Sequence, residues 1–272
     1  MDSREAAVKA NFEDVVEAIV NLNPHIELKK KNLYDALKKY QEKGARFYRS
    51  LDWSSMEIRE LPESIGDLTV EGDLDLSKNK LTSLPESIGN LKVGNMYLHK
   101  NQLETLPDTF SLLTVGTLTL CKNNLIYLPE NFSNITVGYL DLSNNQLTFL
   151  PESFGKLTLE RSLDLSNNKL TSLPESFSNL TIGKREIGRG GQLILSKNHL
   201  ASLPENFGNL EDNSNLDYLN LAYNKLVSLP ESFGKLHVVG DLYLYNNEIE
   251  TCLLYTSPSP RDATLSRMPS SA

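Results

Sequence analysis

One short motif recurs along this chain, and it constrains the fold before composition enters the argument. The copy Leu140-Asp-Leu-Ser-Asn-Asn-Gln-Leu-Thr-Phe-Leu-Pro-Glu-Ser-Phe154 carries leucines at fixed offsets, an asparagine after the LxL pair and a closing Leu-Pro. Copies begin at Leu51, Leu74, Met96, Leu118, Leu140, Leu163, Leu193, Leu219 and Leu242, in steps of 23, 22, 22, 22, 23, 30, 26 and 23 residues. A unit this short cannot bury its own apolar side chains. Copies must stack so that each covers the next.

Each slot has a mechanical reason. Successive side chains of a strand point to opposite faces, so Leu140 and Leu142 are expected inward while Tyr139, Asp141 and Ser143 face out. Asparagine recurs at Asn79, Asn101, Asn123, Asn145, Asn168, Asn198, Asn224 and Asn247. An amide can both donate to and accept from backbone groups left open where the chain turns out of a strand. A buried, structural asparagine ladder is expected. Proline at 62, 85, 107, 129, 151, 174, 204 and 230 should turn the chain on to the other side of the solenoid. Three residues later stand Ile65, Ile88, Phe110, Phe132, Phe154, Phe177, Phe207 and Phe233, which predict a second packing line.

On LxLxxNxLxxLPxxΦ, over roughly residues 50–251, the chain resembles intracellular, typical-type leucine-rich-repeat proteins. These include Ras-pathway signalling scaffolds, plant Ras-group repeat proteins and microbial relatives. The resemblance implies an α/β fold: a right-handed solenoid with a parallel concave sheet that binds proteins. Fold does not set activity, which has to come from the site.

Composition limits the remaining choices. With 39% hydrophobic residues in 272, one solenoid domain can bury a large core. No window approaches the roughly 18 apolar residues of a membrane span. The charged start and the two cysteines predict a reducing, cytoplasmic setting and no membrane association. Asn131, Asn134 and Asn179 open glycosylation-type triplets, read here as accidents of the repeat wording.

The repeats span 50–251, eight full copies and a truncated ninth, and the flanks read differently. In residues 1–49, Phe12, Val15, Val16, Ile19 and Val20 predict a helix capped by Asn11 and stopped by Asn23-Pro24. A second helix is expected from about Lys30 to Lys43, with Leu33, Leu37 and Tyr40 on one face and Gly44 at its end. Together they read as a cap over the first repeat, whose inward Trp53 is the chain's single tryptophan. The alternative is a docking module built on Lys29-Lys-Lys31 and Lys38-Lys39. Residues 252–272 lose the register, are rich in Ser and Pro, and resemble translated sequencing-adaptor read-through. The natural protein is expected to continue past Thr251.

Two spacers are overlong, through Gly183–Gly191 and Glu211–Ser214, and predict loops. The first is glycine-rich, but no lysine follows Gly188, so it is not a phosphate loop. Ile187–Gly190 echoes a kinase glycine loop without the lysine and aspartate motifs that should follow.

Function is expected on the outward strand columns. One reads Asp52, Asp75, Tyr97, Thr119, Asp141, Asp164, Ile194, Asn220, Tyr243; its upstream neighbour includes Asp73, Tyr139, Tyr218 and Asp241. Nine strands at about 4.8 Å make a surface roughly 40 Å long. Residues 1–50 hold ten basic and eight acidic side chains (+2) and 252–272 hold two and one (+1), so the total of −8 leaves −11 on 51–251. Such a face repels nucleic acid and attracts a basic or mixed-charge protein, with tyrosines as anchors. The expected function is a monomeric, non-catalytic interaction module or scaffold with no cofactor and no metal. The competing expectation is the recognition part of a larger kinase, GTPase or ubiquitin ligase whose catalytic domain lies downstream of 251. His99 and Cys121 share an outward column, with Ser77 and Ser143 either side and Asp141 beside them, as a thiolate or metal site would begin. Two ligands do not make a zinc site, and a flat strand face offers no oxyanion hole.

Overall fold

The computed structural model describes residues 3–35, 50–183, 190–210 and 216–250. Its sheet is parallel throughout. The strands are β1 (Leu51–Asp52), β2 (Thr69–Asp75), β3 (Lys92–Tyr97), β4 (Thr114–Thr119), β5 (Thr136–Asp141), β6 (Thr158–Asp164), β7 (Thr181–Ile182), β8 (Gly191–Ile194), β9 (Leu216–Asn220) and β10 (Val238–Tyr243). Register partners run Leu51, Leu74, Met96, Leu118, Leu140, Leu163, Leu193, Leu219 and Leu242 without a break. All nine motif copies therefore lie side by side in one sheet.

The strands begin earlier than the LxL motif implies. Strands β2 to β6 each open on a Thr- or Lys-plus-apolar pair, and Val70, Val93, Val115, Val137 and Leu159 form a further buried column. Repeats of 22 residues pair without interruption from β4 to β5, whereas the 23-residue steps put their extra residue in a bulge. Such register shifts lie between Val70 and Asp73 of β2 and between Val238 and Asp241 of β10. On β6 the added residue falls between Leu159 and Ser162, opposite Val137 and Tyr139 of β5. A bulge absorbs one residue without moving the faces that follow it.

The first overlong spacer splits a strand. β7 pairs with the start of β6 and β8 with its end, so two short strands occupy one repeat's place. Residues 184–189 between them, and 211–215 in the second spacer, lie outside the described residues.

The asparagine ladder is present and buried. Asn145 Nδ2 donates to Leu120 O (3.1 Å), Leu142 O (3.0 Å) and Ser143 O (3.3 Å), and its Oδ1 accepts from Leu125 N at 3.1 Å. Each amide thus bonds its own turn and the preceding repeat. Asn79, Asn101, Asn123, Asn168, Asn198 and Asn224 repeat the pattern in buried positions, and Asn247 does so half-buried. The residue just before the amide takes a left-handed conformation in these repeats, at Lys78, Lys100, Lys122, Asn144, Asn167, Lys197, Tyr223 and Asn246. That twist aims the amide inward, and the asparagines among these residues adopt it most easily.

On the far side, the prolines lead into one-turn 3₁₀ helices such as Glu152–Lys156. There the phenylalanines stack from Phe110 to Phe233 with centroids 6.0–6.4 Å apart and near-parallel rings. Offset aromatic pairs add to the burial of the rings themselves.

The first helix, α1, runs Ser3–Leu22 and so contains Asn11 instead of starting at it. Glu5-Ala-Ala-Val-Lys-Ala10 is strongly helix-forming and carries the helix past that cap. Asn23 ends it as expected and proves to be a joint: Nδ2 donates to Ile19 O and Glu60 O, both at 2.8 Å, while Oδ1 accepts from Arg59 N and Glu60 N. Phe12, Val15, Val16 and Ile19 share one core with Trp53, Ile58 and Ile65. Residues 30–35 are helical, and the rest of the second expected helix lies outside the described residues. Lys29 pairs with Glu57 at 2.6 Å and Lys30 with Glu17 at 2.8 Å, so two lysines of the basic run tie this segment to the rest of the chain.

Asn145→Ala removes the partner of one amide and two or three carbonyls and is expected to destabilise by about 1–3 kcal/mol in denaturant titration. Phe154→Ala opens the middle of the stack and should cost about 3–5 kcal/mol by the same measurement.

Candidate functional site

The outward columns meet on one face because the sheet has period two and the ladder holds the register. Asp52, Asp75, Tyr97, Thr119, Asp141, Asp164, Ile194, Asn220 and Tyr243 are successive register partners. Asp73, Asn95, Thr117, Tyr139, Ser162, Gln192, Tyr218 and Asp241 form the adjoining line. Every sequence-predicted site residue therefore sits on this face. Asp52 and Asp241 are exposed and the others half-buried.

The central carboxylates hold the backbone as well as facing out. Oδ1 of Asp52, Asp75, Asp141 and Asp164 accepts from the backbone N–H two residues on, at 2.8–2.9 Å, and Asn220 does the same to Ala222 at 3.0 Å. These are Asx turns at the strand ends, which the column pattern did not reveal. One carboxylate oxygen is structural. The charge, shared by both oxygens, remains on the outward face. Asp73 accepts from Asn95 Nδ2 at 2.7 Å and from Ser50 Oγ at 3.2 Å, bridging three repeats.

Burial and like charge shape the ionisation of the face. Burial pushes Tyr139 up to about 12, reinforced by Asp141 and Asp164 and opposed by Arg161. Tyr97 is raised by burial and then by Asp73 and Asp75. Burial raises Asp164 too, against the lowering effect of its bonds from Ser166. Asp241 is the chief cause of a raised Tyr243. At the far end Tyr218, Tyr243, Tyr245 and Tyr223 pack edge to face or tilted, 5.3–5.9 Å apart.

His99 and Cys121 do not form a nucleophile. His99 Nδ1 lies 3.1 Å from Thr119 Oγ1, and burial lowers its pKa. Cys121 is a free thiol pushed up to about 12 by burial and by Asp141 beside it, the reverse of what a thiolate needs. Among the described residues no group of three His, Cys, Asp or Glu could hold a metal, and no helix is long and apolar enough to cross a membrane. A groove of about 350 Å³ lined by Leu84, Leu106, Pro107, Tyr127 and Pro129, among others, includes none of the face residues.

The motif reading missed Arg161, which the bulge of β6 sets on this face. Its Nη2 donates to Gly116 O at 3.1 Å and Thr117 Oγ1 at 3.0 Å, two strands away. The extra residue of that repeat was the available signal.

The family model "Leucine Rich Repeat" matches residues 73–91, 137–157, 161–180 and 215–236. The leucine-rich repeat domain of the type III effector XopL aligns with 86% of this chain and 89% of its own at 19% identity and a TM-score of 0.52. The Toll–Spatzle complex of Drosophila aligns over 73% of this chain but 31% of its own, at 26% identity and a TM-score of 0.52. YopM of Yersinia pestis aligns over 84% of this chain and 62% of its own at 23% identity, with a TM-score of 0.48. No curated protein matches the sequence. Four stretches of the chain thus match the leucine-rich-repeat model, and the sheet has the fold of a leucine-rich-repeat domain.

The thiol gives a direct check on this chemistry. In a Cys252→Ser background at pH 8, iodoacetamide should alkylate folded Cys121 on the order of a hundredfold more slowly than in the unfolded chain, because the thiolate is suppressed. Labelling as fast as in the unfolded chain would contradict the suppressed thiolate.

Proposed function

We propose that this protein is a non-catalytic interaction module or scaffold that holds a basic or mixed-charge protein on its acidic, tyrosine-bearing concave face. The observation that carries this reading is the alignment of Asp52, Asp75, Asp141 and Asp164 with Tyr97 and Tyr243 on neighbouring strands of one sheet. The charge of −11 on residues 51–251 steers a basic partner in and repels nucleic acid. Half-buried tyrosines supply stiff, amphipathic contact area at low entropic cost. Leucine-rich-repeat domains in general mediate protein–protein contact, and the Toll complex with Spatzle is one named instance. Within this reading residues 1–49 cap a solenoid over 50–251. The protein acts as a monomer without cofactor, in a cytoplasmic, reducing setting suited to the free Cys121.

The Asx turns determine which test is clean. Asp→Lys would remove charge and a backbone acceptor together. Asp→Asn removes the charge and keeps the acceptor, as Asn220 does in its own repeat. The triple variant Asp75→Asn, Asp141→Asn, Asp164→Asn is expected to keep the wild-type denaturation midpoint while weakening capture of a basic partner by tenfold or more, at about 1 kcal/mol per lost charge contact. Affinity unchanged at low salt would overturn the acidic-face reading.

A further inference from the structure

Arg161 is exposed, yet it lies along the sheet instead of extending into water. Its side chain starts on β6 and crosses β5 at Gly138, where an added Cβ would come 3.7 Å from Arg161 Nε and 2.8 Å from Gly116 O. It ends on β4, where Nη2 reaches Gly116 O and Thr117 Oγ1. The tight contact there would be with the Gly116 carbonyl, while Glu160 Oε2 at 3.5 Å and Arg161 Nε would be in ordinary contact. The guanidinium comes to rest on β4, between the strands that hold Tyr97 and Tyr139, and its charge is felt by both phenols. Among the described residues both hydrogen bonds come from one nitrogen, which leaves Nη1 and Nε free to bond elsewhere. The acceptors are neutral and the contact is solvent-exposed, so the clasp is weak and reversible.

Resting on the reading of the concave face as the binding surface, we propose that Gly116 O and Thr117 Oγ1, flanked by Tyr97 and Tyr139, form a subsite for an arginine side chain of the partner, and that Arg161 fills it as an internal competitor until the partner arrives. The planar fork of a guanidinium suits a carbonyl beside a hydroxyl, and aromatic neighbours favour it over a compact ammonium. A lysine-rich segment is drawn to the same face by charge but gains less at this seat, because its ammonium lacks the planar fork.

The test uses the full chain and two capped peptides of equal charge, tetra-arginine and tetra-lysine, in calorimetric titration. Removing a competitor that fills the seat most of the time should raise affinity by the inverse of the open fraction, so Arg161→Ala is expected to bind tetra-arginine roughly fivefold or more tightly. Tetra-lysine should gain no more than it does with Lys100→Gln, which removes one positive charge from another exposed position. Adding Thr117→Val to Arg161→Ala should reverse the arginine-specific gain. Equal gains for both peptides, or a gain matched by Lys100→Gln, would overturn the subsite and leave the acidic-face reading standing. If neither peptide binds wild type or Arg161→Ala, both fall together.

Discussion

The side-chain amide of the ladder asparagine is the interaction on which the rest of the structure depends. A short parallel strand that ends in a tight turn leaves carbonyl and N–H groups pointing into the core, and each orphan costs free energy. One amide meets this need in two directions. Asn123, for example, donates to Leu120 O in its own turn and to Leu98 O in the repeat before, and accepts from Leu103 N. Because every amide reaches back one repeat, a slip of a single residue would leave several buried groups unpaired. The register is therefore held by polar satisfaction as well as by leucine packing.

That rigidity permits tolerance elsewhere. Steps of 22, 23, 26 and 30 residues all deliver their leucines to the same line, and a bulge or a split strand lies upstream of the motif where the step exceeds 22. The bulge in β6 has a chemical consequence, since it sets Arg161 on a face otherwise rich in acids and tyrosines. Asn23 extends the same logic to the end of the solenoid, where an amide again satisfies backbone groups of the first repeat while stopping the helix that covers it.

Much of this was legible in the residues. The alternation of strand side chains and the constant offsets were enough to assign the buried leucines, the ladder, the phenylalanine stack and all the outward positions. What stayed hidden has physical causes. The Val70 to Leu159 column was obscured because bulges vary its distance from the LxL pair. The Asx role of Asp75, Asp141 and Asp164 was hidden because an aspartate at a strand end looks the same whether it caps a turn or faces a partner. Arg161 was missed because its seat lies two strands away, a pairing that no local pattern in the sequence records. The start of α1 was misplaced because a good cap residue, Asn11, lies within a run whose helix propensity outweighs it.

Amide hydrogen exchange at Leu81, Leu103, Leu125, Leu147, Leu170 and Leu200, whose N–H groups donate to ladder Oδ1 atoms, addresses the ladder most directly. If the ladder holds the repeats in register, all six exchange slowly and with similar protection, as one cooperative unit. Exchange at these amides as rapid as at exposed turn positions would contradict it.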